Sequence, residues 1–143
     1  VSRYDKYDPI SGGFRAKLNA AWNATSGPAG VSDLNRVLVV ELNSSGKLVK
    51  ATGPLTAVGV VVLTGPKNAG DTVDVMTHGE IVEVDGNDVQ GGVAPAAGER
   101  FFLDTTASRL AKVAAPTAGT NYYLVGNTVE ATRMVVRCRT IQG

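Results

Sequence analysis

Histidine and cysteine each occur once in this chain of 143 residues, tryptophan occurs once, and long apolar runs are missing. Each scarcity excludes something. A lone cysteine, Cys138, rules out an intrachain disulfide and a cysteine-based zinc centre. On a strand it reads as a small apolar residue facing the core. His78, in Met76-Thr77-His78-Gly79, has no second His and no Cys or carboxylate at ligand spacing, so it reads as a turn residue rather than a metal ligand. A membrane-spanning helix needs about 20 apolar residues. The longest apolar run, 57–63 with Gly59 inside it, is only strand-sized. The first residues alternate charge and tyrosine and lack the basic-then-apolar order of a signal peptide, so synthesis in a cytoplasm is expected. Lys and Arg are scattered and the net charge is +1, whereas nucleic-acid binding asks for a basic stripe or patch.

Catalytic sets are missing too. Gly-x-Ser-x-Gly, the phosphate-binding P-loop and Gly-x-Gly-x-x-Gly do not occur. Asp85-Gly86-Asn87-Asp88 superficially resembles a calcium loop, but Val89 stands where the third oxygen ligand should fall and no Glu follows at the twelfth position. An ordinary Asx-rich turn is the better reading. Carboxylate pairs such as Asp71 with Asp74, or Glu80 with Glu83, could act across space as in glycosidases. Each pair lies on a short β segment that turns one member toward solvent. The expectation is a protein that packs and binds: no enzyme, no cofactor, no metal.

What the chain does contain is short Val-rich runs separated by Gly, Pro, Asn and Asp, the pattern of an all-β domain. Strands are expected at 36–42 (RVLVVEL), 47–50, 57–64, 72–76, 80–84, 99–103, 109–113, 122–125, 128–131 and 133–141. The run 57–64 is apolar throughout, as for a strand buried on both faces. Val73, Val75, Ile81 and Val84 are core candidates, and 85–98 reads as a loop. Gly126-Asn127 suits a two-residue hairpin turn. In the last strand Met134, Val136 and Cys138 share one face, while Arg133, Val135, Arg137 and Arg139 share the other. Gly70–Val84 and Gly98–Val113 each read as turn, strand, short turn, strand, a repeated hairpin grammar. About nine short strands without a helical pattern between them predict a small β-barrel or β-sandwich over residues 31–143. A chain of this size buries roughly 68–70% of its unfolded surface, enough for one domain without disulfide or metal.

Residues 1–30 differ. They lack β alternation, are broken by Asp8-Pro9, Gly12-Gly13 and Gly27-Pro28, and hold half of the chain's Phe, Tyr and Trp residues: Tyr4, Tyr7, Phe14 and Trp22. A solvated linker would be poor in aromatics. Phe14, Leu18 and Trp22 are spaced four apart, which predicts a short helix over 14–23 with these three on one face. The segment either packs on its own domain or forms an extended arm that docks on another chain. The second reading is preferred, because aromatic and Arg anchors are what interfaces favour. Thirty extended residues reach about 100 Å, well past a body with a radius of gyration of about 13 Å.

Three stretches carry a resemblance: Gly70-Asp71-Thr72-Val73-Asp74-Val75, Gly79-Glu80-Ile81-Val82-Glu83-Val84, and Ala96-Ala97-Gly98-Glu99-Arg100-Phe101-Phe102-Leu103-Asp104. Together with the Val/Arg-rich strand 134–139, their order resembles that of the small capsid decoration (cement) proteins of tailed bacteriophages. Arg3-Tyr4-Asp5-Lys6-Tyr7-Asp8-Pro9 and Gly13-Phe14-Arg15-Ala16 are similar to N-termini of decoration proteins from actinobacterial phages. The resemblance implies a compact β fold, usually a homotrimer, on the outer capsid surface of the virion. Its partner would be the major capsid protein, which it would bind after head expansion to reinforce the shell against DNA pressure. In that role Tyr4, Tyr7, Phe14 and Trp22, with Leu18 on the same face, would fill pockets, and Arg3, Arg15 and Lys17 would meet acidic capsid surface. The alternative is a receptor- or glycan-binding β-module of a virion. That needs an exposed aromatic platform, for which Phe101-Phe102 and Tyr122-Tyr123 are the candidates.

Overall fold

The computed structural model describes residues 12–23, 32–106 and 108–143. In them the chain builds two antiparallel sheets of five strands each. The first sheet runs, in spatial order, β1 (Gly13–Lys17), β5 (Thr72–Met76), β4 (Ala57–Val61), β2 (Leu38–Leu42) and β3 (Leu48–Lys50). The second runs β6 (His78–Glu83), β10 (Arg133–Gln142), β9 (Asn121–Glu130), β7 (Arg100–Asp104) and β8 (Arg109–Ala111). The all-β expectation holds, and of its two forms the fold is the sandwich rather than a closed barrel.

The Val-rich runs exist because β2 and β4 are apolar on both faces. Side chains alternate along a strand, so Val37, Val39 and Val60 enter a core between the sheets, with Val82, Phe101, Leu110, Val125, Met134 and Val136 opposite. Leu38, Val40 and Val61 enter a second core on the other face with Val73, Val75 and Leu48. The first sheet curls around this second core until its edges touch: Leu18, just past β1, forms a parallel bridge with Leu48 in β3. Asn19 N donates to Leu48 O at 3.0 Å at that bridge.

At one end, polar groups join the sheets. Ser108 O accepts from Val39 N at 2.7 Å, and Ser108 Oγ donates to Ala51 O at 2.7 Å. Asp88 Oδ1 accepts from Val37 N at 2.9 Å. Asp33, fully buried, lies 2.6 Å from Lys50 Nζ and 4.0 Å from Arg109 Nη2. Arg109 also donates to Asn87 O and Ser32 O. Burial drags the Arg109 guanidinium below its ordinary pKa, while Asp33 holds it up.

Four expectations are corrected. The helix over 14–23 is not formed: residues 13–17 are strand β1, paired with β5 from Gly13↔Met76 to Lys17↔Thr72. The physical reason is that a spacing of four is even, so it puts Phe14 and Leu18 on one face of a strand as readily as of a helix. Gly126-Asn127 is not a turn: β9 runs straight through it, and the reversal comes at residues 131–132. Gly126 is needed there because a Cβ would collide with the Val135 carbonyl of β10. Ile81 is not core. It pairs with Val135 on the outer face, while Val82 pairs with Met134 and faces the inter-sheet core. Finally, residues 72–76 and 78–83 are not a hairpin, since β5 and β6 belong to different sheets, whereas β7 and β8 do pair.

Candidate binding surfaces

The sequence-predicted anchors separate once the chain is folded. Arg3, Tyr4 and Tyr7 lie outside the described residues. Phe14 is half-buried on the inner face of β1. Leu18 is 0% and Trp22 4% exposed, both in the second core. Trp22 is held there by reciprocal backbone hydrogen bonds with Lys67, at 2.9 and 2.8 Å. Leu18 and Trp22 therefore serve their own domain, which corrects their assignment as pocket-filling anchors on another chain. Residues buried this deeply have no surface left to offer. Arg15 and Lys17 point the other way, to solvent. Arg15 Nε donates to Asp74 Oδ1 at 2.8 Å across the exposed face of β1 and β5.

The residues weighed for catalysis are engaged locally. His78 opens β6, and its backbone N–H donates to Gly12 O at 2.9 Å beside Thr77 N at 2.7 Å. Asp71 Oδ2 accepts from Asn68 N at 2.8 Å and Asp74 pairs with Arg15. Asp85 and Asp88 form a capping box on the 3-10 turn Gly86–Asp88. Asp85 also meets Arg36 at 3.1 Å. Burial pushes the Asp88 carboxyl above its ordinary pKa, against hydrogen bonds from the Asp85 and Val37 backbones. No group of three or more His, Cys, Asp or Glu residues is arranged to hold a metal among the described residues. Among them, too, no helix is long and apolar enough to cross a membrane.

The aromatic platform of a glycan-binding module is not there in the described residues. Phe101 and Phe102 are fully buried and Tyr123 nearly so. Tyr122 is half-buried, packs edge-on against Phe102 at 5.6 Å and accepts a hydrogen bond from Thr117 N through its hydroxyl. Alternation predicts one inward ring in each pair, yet both phenylalanines are enclosed. Phe102, on the outer face, is flanked by Tyr122 and by the Arg100 guanidinium 5.5 Å from its ring.

Sequence reasoning missed the most distinctive surface. The outer face of the second sheet holds a concavity of about 660 Å³, floored by Leu124 and Val135 and rimmed by Arg100, Arg137 and Arg139, with His78 at one side. These arginines come from β7 and β10, and cross-strand pairing aligns them: Arg139↔Leu124 and Arg100↔Asn127↔Val135. None of the three has an ion-pair partner among the described residues. The outward alternation of Arg137 and Arg139 was legible, but the convergence of Arg100 depends on β7 lying beside β9. A second concavity, of about 740 Å³, opens between β5 and β6 and carries Asp74, Glu80 and Glu83. The two sides of β6 thus differ in charge.

Comparison with known proteins adds one result. No protein-family model and no curated protein sequence matches the chain. Among solved structures, a protein of Mycobacterium phage Patience has a similar fold, with a TM-score of 0.64 at 16% identity over 99% of this chain and 97% of that one.

Proposed function

We propose that this protein is a virion component of a tailed phage, and specifically a non-enzymatic decoration protein that binds the outer surface of the expanded head. The observation that carries the reading is the likeness in fold, over nearly the full length of both chains, to a protein of a mycobacteriophage. It agrees with the independent resemblance of the 70–75, 79–84 and 96–104 motifs to decoration proteins. With Phe101, Phe102 and Tyr123 buried and Tyr122 half-buried, the described residues offer little support for a glycan-binding module instead.

In this reading a homotrimer engages the major capsid protein at three equivalent sites, so weak contacts become avid. Binding only the expanded lattice stabilises that state by mass action. Leu18 and Trp22 belong to the core, which leaves residues 1–11, with Arg3, Tyr4 and Tyr7, and the exposed Arg15 and Lys17 as the capsid-facing set. Deleting residues 1–25 would also remove β1, so the clean truncation starts the chain at Gly12. The test is co-sedimentation of the full chain and of the truncated chain with undecorated expanded heads, followed by imaging of the heads. The expected result is saturable binding by the full chain with weaker binding by the truncation. Absence of full-chain binding overturns the function, and full retention by the truncated chain overturns the role of the N-terminal segment.

A further inference from the structure

We infer that the concavity ringed by Arg100, Arg137 and Arg139 is a docking site for an extended acidic segment of a partner protein. Arg100, Arg137 and Arg139 all line it, with no carboxylate in the lining and no ion-pair partner among the described residues, although the Arg100 guanidinium also lies 5.5 Å from the Phe102 ring. On the same sheet, by contrast, Arg133 pairs with Glu130 and the half-buried Lys112 with Glu99. Three positive charges with no carboxylate among them make the lining attractive to an anionic group. A guanidinium presents paired N–H donors that match a carboxylate's two oxygens.

The floor decides between anions. Leu124 and Val135 line it, and Ile81, 60% exposed, pairs with Val135 at its margin. A segment alternating carboxylate and aliphatic side chains satisfies both features at once, placing acids on the arginines and aliphatics on the floor. Nucleic acid fits less well. Single strands ask for aromatic stacking platforms, and the lining holds no Phe, Tyr or Trp. The net charge of +1 also gives no extended basic track. This assignment goes beyond the virion reading and does not rest on it, because any acidic partner would be recognised in the same way.

The experiment titrates the full chain against a fluorescent peptide alternating glutamate and valine, read by anisotropy. Parallel titrations use the same peptide with lysine for glutamate and a thymidine oligonucleotide of equal charge. The variants are R137E/R139E and the milder R137Q/R139Q, with K47Q, on a turn of the first sheet, as control. Circular dichroism and thermal unfolding confirm the fold of each. The wild type is expected to bind the acidic peptide, more weakly as salt rises, and to ignore the lysine peptide. The charge reversal should weaken binding about tenfold or more, with the glutamine pair in between and K47Q unchanged. The inference is overturned if the wild type does not bind the acidic peptide, if R137Q/R139Q and R137E/R139E bind it as tightly as the wild type, or if the oligonucleotide binds more tightly. No heads enter this titration, so its failure and that of the decoration reading are separately visible.

Discussion

Leu18 bridges in parallel to Leu48, so a residue from the N-terminal segment closes the curl of a sheet whose other strands come from residues 38–76. Both leucines are fully buried. The segment that carries Phe14, Leu18 and Trp22 is thus part of the domain's second core, and its sequence reads as an arm because its aromatic and Arg residues look like interface anchors until the fold encloses Leu18 and Trp22.

Removing those side chains should cost what core truncations cost. Leu18→Ala is expected to destabilise the protein by about 2–5 kcal/mol and Trp22→Ala by about 3–5 kcal/mol. Arg15→Ala, which removes an ion pair exposed on both sides, should change stability by less than about 1 kcal/mol. Urea denaturation followed by fluorescence measures the Leu18 and Arg15 variants, and circular dichroism measures the variant lacking tryptophan. Near-wild-type stability for both core variants would return the segment to the status of an arm.

The fold was legible where burial imposes a pattern. The run 57–64 looked buried on both faces, and Val60 and Val61 do enter opposite cores. Strand 72–76 was legible because Val73 and Val75 alternate with the polar Thr72 and Asp74. Legibility failed where one pattern has two physical causes. The four-residue spacing of Phe14 and Leu18 satisfies a helix face and a strand face alike. Gly126 signals a turn or a close backbone approach, and only the neighbouring strand decides. The arginine-lined concavity was half legible: Arg137 and Arg139 follow from alternation, but Arg100 joins them through strand order.

Gly126 offers a sharp test of close approach against turn. A methyl group there meets the Val135 carbonyl and the Met134 Cγ in the adjacent strand. Neither can retreat easily, since Met134 is fully buried and Val135 is in the β9–β10 ladder. Gly126→Ala should therefore destabilise by about 1–3 kcal/mol, the usual cost of overpacking. A turn glycine at positive φ would instead predict that Asn at the same position is tolerated. Thermal unfolding of Gly126→Ala and Gly126→Asn separates the two, with Asn expected to be the worse.

Cys138 is half-buried beside the arginine-lined concavity, and its thiol should ionise less readily than a free one. Burial beside Tyr123 pushes its pKa from 9.0 up to about 11, against a hydrogen bond from Tyr123 that lowers it. Its Sγ lies 3.7 Å from Val125 O. The folded protein holds the thiol proton more tightly than the unfolded chain does. The resulting stability is complete below pH 9 and is lost as pH rises through about 11. A shift of this size corresponds to on the order of 3 kcal/mol at most. Chemical denaturation at pH 8 and pH 11 should show a larger loss for the wild type than for Cys138→Ala. Thiol modification at pH 8 should be slow until denaturant is added. Equal losses in both proteins would mean that Cys138 does not carry the pH dependence.

Asp33 and Arg109 are both buried at the joint between the sheets, 4.0 Å apart. Asp33→Ala leaves Lys50 able to reach water but leaves the Arg109 guanidinium enclosed, hydrogen-bonded to the Asn87 and Ser32 carbonyls and with Asp88 and Asp104 as its remaining carboxylates. Stranding a buried charge costs about 3–5 kcal/mol. Replacing Arg109 by Met as well removes the stranded charge and fills much of its volume. The double variant D33A/R109M should therefore be less destabilised than the sum of its single variants, by about 1 kcal/mol or more. Denaturation curves of the four proteins in the cycle give that coupling directly. Additive losses would show that the two charges are compensated separately, Asp33 by Lys50 and Arg109 by carbonyls.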